Sequence, residues 1–597
     1  MIRATFAGFS TALSALQANQ KRLDITGQNL ANMNTAGYTR QQLKTSSLNY
    51  TNPISHYMNG SEISVGFGVK MDGVTQIRDP YLDAQYRSQI QKSGYTDSIQ
   101  TSLDRLSRFL DESHIKGINQ AFTNINATLE LMHDPLNVND PIFESELRSR
   151  MQALTNLLND GARKITEAEK SEFSTLDGTG TSEMGSVQQI NTMLEQIGQL
   201  NRQIKQNQIY GQPSLELMDE RNLLLDELAS FIPIEVSYYQ DYVLDGSHSS
   251  GLENSSGAYH TDSKGNAIAK KDWPSDLRVE MTYVDDKGTS HKITLVEGTI
   301  GTGRDNIGKL TMTKEDGTAA DINDPTNVAL TFTDPTKAAP NNSVTLSNGT
   351  NQFPSGAGSV QGSLDMLWKK GTGDPVNNVK GYEYYRDELD NLAKSFATVM
   401  NTLNGLYEPT GLNGQPPANA DAVNSTTTNK FAILTNKEDS TDPDITAANI
   451  GISQDWVNGT IHISTQGENS NDTVSNMLEA MTATYPYSKL TINNTPLFDK
   501  NSTTPINLRN NSFADFINST SAILANDSYS NTEALKNNVI VLNGIQNSRD
   551  SISGISLDEE ASNMMMFMSA YNAASRLMTT LDEALNTLIN GTGVVGR

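Results

Sequence analysis

The chain has 597 residues, no cysteine and a formal net charge of −25 at pH 7, with a sequence pI near 4.7. It is too long for a single core, and about three to five domains are expected. The acidic balance argues against nucleic acid or an anionic membrane surface as a partner, and the missing thiols exclude disulfides, thiolate metal sites and a cysteine nucleophile.

No run approaches the ~18 apolar residues of a transmembrane helix, so no membrane insertion is expected. The opening "MIRATFAGFSTALSALQANQ" breaks its apolar residues with Ser, Thr and Gln, which reads against an ordinary cleaved signal peptide. Ile2, Phe9, Leu16, Leu23 and Leu30 recur every seven residues, while Phe6 and Leu13 supply a second seam position that Gln20 and Gly27 fill less well. This predicts an amphipathic helix whose narrow stripe seeks partner helices. "NLANMNTAGYTRQ", residues 29–41, ends it. Asn and Thr compete for backbone hydrogen bonds, Gly37 tolerates positive φ, and Tyr38 opens an extended segment.

Asp79-Pro80 and Asp140-Pro141 each place an N-cap before a proline at the first helical position, opening helices over 80–112 and 141–170. Helical patterns follow at 186–207, 214–231, 376–406 and 532–550. Two blocks interrupt them. Over 233–355, "IEVSYYQDYVL", "DLRVEMTYVDD" and "HKITLVEGTI" alternate apolar and polar residues between turn residues, as half-buried antiparallel strands do. Over 408–505 the texture returns in "GTIHIST" and "KLTINNTPLF". The chain closes with "SGISLDEEASNMMMFMSAYNAASRLMTTLDEALNTLIN". There Leu557, Met564, Tyr571, Met578 and Leu585 keep a seven-residue period, with Phe567, Ala574, Leu581 and Leu588 as companions. Ser556 and Glu559 form a capping box, and Gly591 ends the helix. The expected fold class is α+β: a discontinuous stalk of long helices with coiled-coil helices at both termini, carrying two β-rich insertions.

Nothing in the sequence announces catalysis. The seven histidines sit at 56, 114, 133, 248, 260, 291 and 462, and no two have the spacing that puts a pair of metal ligands on one helix face. "GTGRDN" at 301–306 and "GAGSVQG" at 356–362 read as turns rather than phosphate cradles. The run Met564 to Met568 covers most of a helix circumference, which suits a segment buried on all sides or offered to more than one partner.

The two termini together resemble the axial proteins of the bacterial flagellum, the family of rod, hook and hook-associated subunits. Asn29, Leu30, Ala31, Asn32, Asn34, Thr35, Gly37 and Tyr38 match its N-terminal motif. Ser553, Gly554, Leu557 to Ala561, Asn563, Tyr571, Ala573 and Ala574 match its C-terminal one. Tyr38-Thr39-Arg40-Gln41, the stretch 64–89 and the Asp-Glu-Arg segment in "LELMDERNLLLDELASFI" at 215–232 resemble its hook-associated branch. The resemblance implies a non-enzymatic structural adaptor between hook and filament, reaching the cell exterior through the flagellar type III export channel.

It also implies the partners: further copies of itself in a helical ring, the flagellar hook protein, a second junction protein (hook-associated protein 3), and a dedicated export chaperone holding the C-terminal helix. No cofactor, metal or nucleic acid is implied. Residues 1–45 and 551–597 would form the inner coiled-coil domain, and 46–232, 356–407 and 506–550 a mostly helical stalk, with insertion domains at 233–355 and 408–505. The expected assembly interface comprises Ile2, Phe6, Phe9, Leu13, Leu16, Leu23, Leu30, Asn32, Gly37, Tyr38, Leu557, Met564, Phe567, Tyr571, Met578, Leu581, Leu585 and Leu588. The alternatives are a hook subunit, or an axial protein whose β-rich insertion is a glycan or peptidoglycan hydrolase or an adhesin.

Overall fold

The computed structural model describes residues 5–48, 68–109, 112–179, 183–209, 212–239, 276–298, 307–337, 340, 342–371, 379–406, 431–439, 444–492, 495–501 and 506–591. Ile2, the segment "GTGRDN", His56, His248 and His260 lie outside them, as do residues 240–244 of the first predicted strand.

Helix α1 (Thr5–Ala31) stops where the Asn-rich stretch begins, and Gly37 takes the left-handed φ of +78° that its turn requires. Strands β1 (Gln41–Ser47) and β2 (Val69–Gln76) pair as an antiparallel hairpin with a bulge between Lys44 and Thr45. Five helices follow: α2 (Pro80–Phe109), α3 (Glu112–Met132), α4 (Pro141–Asp177), α5 (Ser186–Ile209) and α6 (Leu215–Phe231). Both Asp-Pro starts work as caps. The Asp79 carboxylate accepts from the N–H of Tyr81 at 2.9 Å, and Asp140 from that of Ile142 at 2.9 Å.

The first block forms two three-stranded antiparallel sheets, β3 (Ile234–Tyr239), β4 (Asp276–Val284) and β5 (Ser290–Glu297), then β6 (Leu310–Lys314), β7 (Val328–Thr333) and β8 (Ser343–Leu346). Helices α7 (Ser359–Trp368) and α8 (Tyr382–Gly405) lead to the second block. Strands β9 (Leu434–Asn436) and β10 (Ile450–Ile452) pair there, as do β11 (Tyr487–Ile492) and β12 (Thr495–Phe498), with α9 (Gln454–Val457) and α10 (Asp472–Thr482) between the pairs. The chain closes with α11 (Phe513–Ser553) and α12 (Leu557–Gly591). The class is α+β, as expected.

Several elements depart from the sequence reading. Helix α3 occupies a stretch beyond residue 112 for which the sequence reading expects no element. Its signal is present, since Ile115, Ile118, Phe122, Ile125 and Leu129 are all buried at helical spacing. Helix α11 begins well before residue 532, because Phe513, Phe516, Ile517, Thr520 and Leu524 seat its first turns in the core. "GTIHIST" is not a strand. Ile461 and Ile463 are buried as alternation predicts, but the backbone between them is held by an α8 side chain. The Asn404 amide donates to the carbonyl of His462 at 3.3 Å and accepts from the N–H of Ser464 at 2.9 Å.

One hydrophobic cluster runs from Ile99 to Leu524 and takes in both blocks. Sheets of two or three short strands cannot bury both faces alone, so they lean on the long helices. A second, small cluster of Ala18, Ile25 and Leu43, with Val69 and Val74 against it, fixes α1 to the β1–β2 hairpin.

Candidate assembly interface and the joint behind it

The two chain ends pair along their length, and three contacts set the register. A Cβ at Gly8 would meet the methyls of Leu581 at 3.3 Å, the Arg22 guanidinium lies 5.4 Å from the ring centre of Phe567, and the Asn29 amide reaches the Glu560 carboxylate at 3.4 Å. From Gly8 to Arg22 is two heptads, as is the step from Leu581 back to Phe567. From Arg22 to Asn29 is one, as is the step from Phe567 back to Glu560. Helices α1 and α12 are therefore antiparallel and locked in heptad register.

Gly8, Arg22 and Asn29 define the centre of the α1 contact, and buried Ala12, Asn19 and Thr26 share that face by helical spacing. The predicted stripe Phe9, Leu16, Leu23 and Leu30 stands one residue on, about 100° round the helix, and is only half-buried. Leu13 is 48% exposed. On α12, Met564, Phe567, Tyr571, Met578, Leu581 and Leu585 are half-buried, while Leu557 and Leu588 are each 53% exposed. Only Glu560 and Ala574 of its 35 residues are buried. Met565, Met566 and Met568 stand out in solvent. Phe6 belongs to α1, and Ile2 precedes the described residues.

Behind this pair, three stretches far apart in sequence meet in a polar joint. Asn29 is buried at the end of α1. Its Nδ2 donates to the carbonyl of Gln41 at 3.0 Å, and its Oδ1 accepts from the N–H of Gln41 at 3.0 Å and from the hydroxyl of Tyr38 at 3.2 Å. Asn32 serves the turn, donating to the carbonyl of Gln28 and accepting from the Thr35 hydroxyl. Gly37 lies against Leu223 of α6. Thr39 donates through its N–H (3.0 Å) and hydroxyl (2.6 Å) to Asp219 of α6. The Arg40 guanidinium forks onto Glu560 at 2.8 Å and Glu559 at 2.7 Å in the first turn of α12, and the main-chain N–H of Arg40 donates to the carbonyl of Ser553 at the end of α11.

Below the joint, an alternating chain of charges, Arg78, Asp83, Arg549, Asp226 and Arg87, ties α2, α6 and α11 together at 2.5–2.9 Å. Burial pushes the Asp219 carboxyl above the ordinary aspartate range, opposed by its bonds from Thr39. Burial, with the nearby Glu216, Asp219 and Glu560 charges, pushes the Tyr38 phenol up to about 12. From the sequence, Asn29, Asp219 and Glu560 are legible only as motif positions, and the expected interface does not include them. The signal for Asn29 was its place in the Gly8–Arg22 heptad series, where a polar residue needs a buried partner.

Among the described residues, no group of three or more histidine or acidic side chains is placed to hold a metal ion, and no helix is long and apolar enough to cross a membrane. The site's chemistry is that of a joint and a half-covered helix pair.

Comparison with known proteins converges on the same segments. Residues 103–303 match the family described as the flagellar hook-associated protein FlgK helical domain. Residues 9–39, spanning most of α1 and its turn, match the flagella basal body rod protein family. Residues 546–591, spanning α12 and the end of α11, match the flagellar basal body rod FlgEFG protein C-terminal family. Flagellar hook-associated protein 1 of Bacillus subtilis is 27% identical over 99% of this chain and 99% of its own length. Along nearly its whole length the chain is similar to the flagellar hook-associated protein 1 family.

Partial matches to members of that family from Escherichia coli (25% identical, 49% of this chain and 50% of that protein) and Salmonella typhimurium (28% identical, 38% of each) accompany it. A solved structure, the flagellar hook junction protein FlgK from Burkholderia pseudomallei, aligns with a TM-score of 0.35 at 19% identity, covering 54% of this chain and 44% of that one.

Proposed function

We propose that this protein is the structural adaptor between the hook and the filament of the bacterial flagellum, outside the cell. The observation that carries the reading is the end-to-end match to a hook-associated protein 1. The geometry supplies the physical reason: α12 is a long helix with almost nothing buried, paired to an α1 whose leucine stripe is only half-covered. An apolar surface of that kind is completed by neighbours. The neighbours are further copies of the chain in a ring, the hook protein on one side and the second junction protein, hook-associated protein 3, on the other. Phe9, Leu16, Leu23, Leu30, Met564, Phe567, Tyr571, Met578, Leu581 and Leu585 carry the contact. Before export, a dedicated chaperone holds the Met-rich helix, which would otherwise expose Met565, Met566 and Met568.

The test is Leu585→Asp, which puts a charge into the seam while leaving the body untouched. Cells carrying it are expected to shed their filaments, and normal filament attachment would refute the helix-pair reading. Immunogold labelling of detached flagella checks the location, where a narrow band at the distal end of the hook is expected. Deletion of 551–597 should abolish chaperone capture.

A further inference from the structure

Helix α2 separates two unpartnered features at one height. On one side it carries α11. Gln89 donates to the carbonyl and side chain of Asn538 at 3.1 Å each, and Arg549 stacks over Tyr86 at 4.9 Å. Beyond Leu524, no residue of α11 is buried. Its outer surface there is apolar: Val539 is 39% exposed, Ile540 60% and Val541 49%.

On the other side of α2 lies a groove of about 830 Å³ whose lining includes Pro80, Ala84, Met218, Ile234, Val236 and Tyr238. Ala84, Ser88 and Gln91 of α2 also face it. They sit two positions from Tyr86 and Gln89, a step of about 200° on a helix, so groove and ridge point in nearly opposite directions.

We infer that this ridge of one copy seats in this groove of the next, which rests on the ring assembly proposed above. In a closed ring of identical subunits every interface is heterologous, so each copy must present two different patches on opposite flanks at one level along the axis. The ridge and the groove meet that condition. The level is fixed independently from both sides: Asn538 is held by Gln89, and the Ile234 carbonyl by Gln91 at 3.4 Å. Each flank also carries an exposed ion pair that can exchange partners across the contact: Lys536 with Glu533 at 3.8 Å, one turn from Ile540, and Glu235 with Lys292 at 2.7 Å, next to Ile234.

A chain without cysteine allows a direct test by paired thiols. Ile540→Cys and Ala84→Cys are placed together in the full-length protein, and isolated flagella are treated with a short bismaleimide. A ladder of chain multimers from the double variant, with none from either single variant, is the expected result. Dimers from Ile540→Cys alone would mean that ridges meet each other. A cross-link to a protein of different mass would mean that another axial component occupies the groove. Either result overturns the inference, as does the absence of cross-links in flagella whose filaments remain attached.

If the cysteine pair fails to assemble, Ile540→Arg and Met218→Arg, shown to be folded by their circular dichroism melts, are each expected to lower the fraction of cells with filaments about tenfold. Unchanged attachment in both overturns the inference. Immunogold labelling of the wild type keeps the two readings apart: a band at the hook tip without a ladder removes the ridge-and-groove contact alone, whereas no band removes the ring.

Discussion

The carboxamide of Asn29 meets the main chain of Gln41 as a neighbouring strand would, giving one hydrogen bond and taking one, both at 3.0 Å. A single side chain thus covers the open edge of β1 where α1 ends, and it reaches Glu560 of α12 from the same position. Asn29→Ala leaves two main-chain groups and the Tyr38 hydroxyl without this partner, and is expected to cost ~2–3 kcal/mol. Asn29→Asp keeps the shape but faces Glu560 with a like charge, so it should be at least as damaging at neutral pH. Urea unfolding, followed at α1 by a local probe, reads both.

Arg40 joins the two chain ends electrostatically. Glu560 is 2% exposed and Arg40 20%, so removing the cation strands a buried carboxylate. Arg40→Ala should fall toward the lower end of the ~3–5 kcal/mol seen when a buried pair is broken, since the guanidinium is partly solvated. Arg40→Glu combined with Glu560→Arg should recover part of that loss. Hydrogen exchange in the first turns of α12 is the readout.

Tyr38 gives the joint an alkaline limit. Its phenol is pushed from 10.0 to about 12 in the folded chain, with burial the largest cause. The unfolded chain therefore loses this proton first as pH rises. The stabilising contribution is complete below about pH 10 and declines between about 10 and 12. The half-exposed ring keeps the effect small. Tyr38→Phe should remove this component, visible as a shallower fall of the denaturation midpoint over that interval than in the wild type.

Gly8 tests the register of the helix pair. A side chain there presses on Leu581, so Gly8→Val should cost ~1–3 kcal/mol of pairing by overpacking. Leu581→Ala makes room, and the double variant should lie closer to the wild type than Gly8→Val does. Melting of the helix pair, followed by a probe on α12, checks the compensation.

The free subunit should be loose at its ends. With only Glu560 and Ala574 buried along α12, its amides should exchange far faster than those of α4, where fourteen residues are buried. Protection should appear on assembly.

Much of this molecule was legible because local rules and global packing agree. The long helices at both ends, the Asp-Pro caps, the left-handed Gly37 and the alternating strands of the first block each have a local cause, and each is found in place. What escaped depends on distant residues. "GTIHIST" alternates like a strand, yet its backbone partner is the side chain of Asn404. Asn29 and Asp219 look like ordinary polar residues until the chain brings Gln41 and Thr39 to them. The leucine stripe of α1 shows that a seam wants covering. It does not show that Gly8, Arg22 and Asn29 take the central position instead.

The joint also keeps a tally of the chain's completeness. Asn29 and Glu560 are 531 positions apart, and Arg40 reaches Glu560 across 520. Contacts that far apart in sequence carry the largest closure entropy and form last. A chain emerging N-terminus first presents α1 and its turn early, but with empty places for the Glu559 and Glu560 carboxylates until its final helix arrives. A shortened chain can fold its body and still lack the piece that finishes its first helix. Only whole molecules bring both halves of the lock.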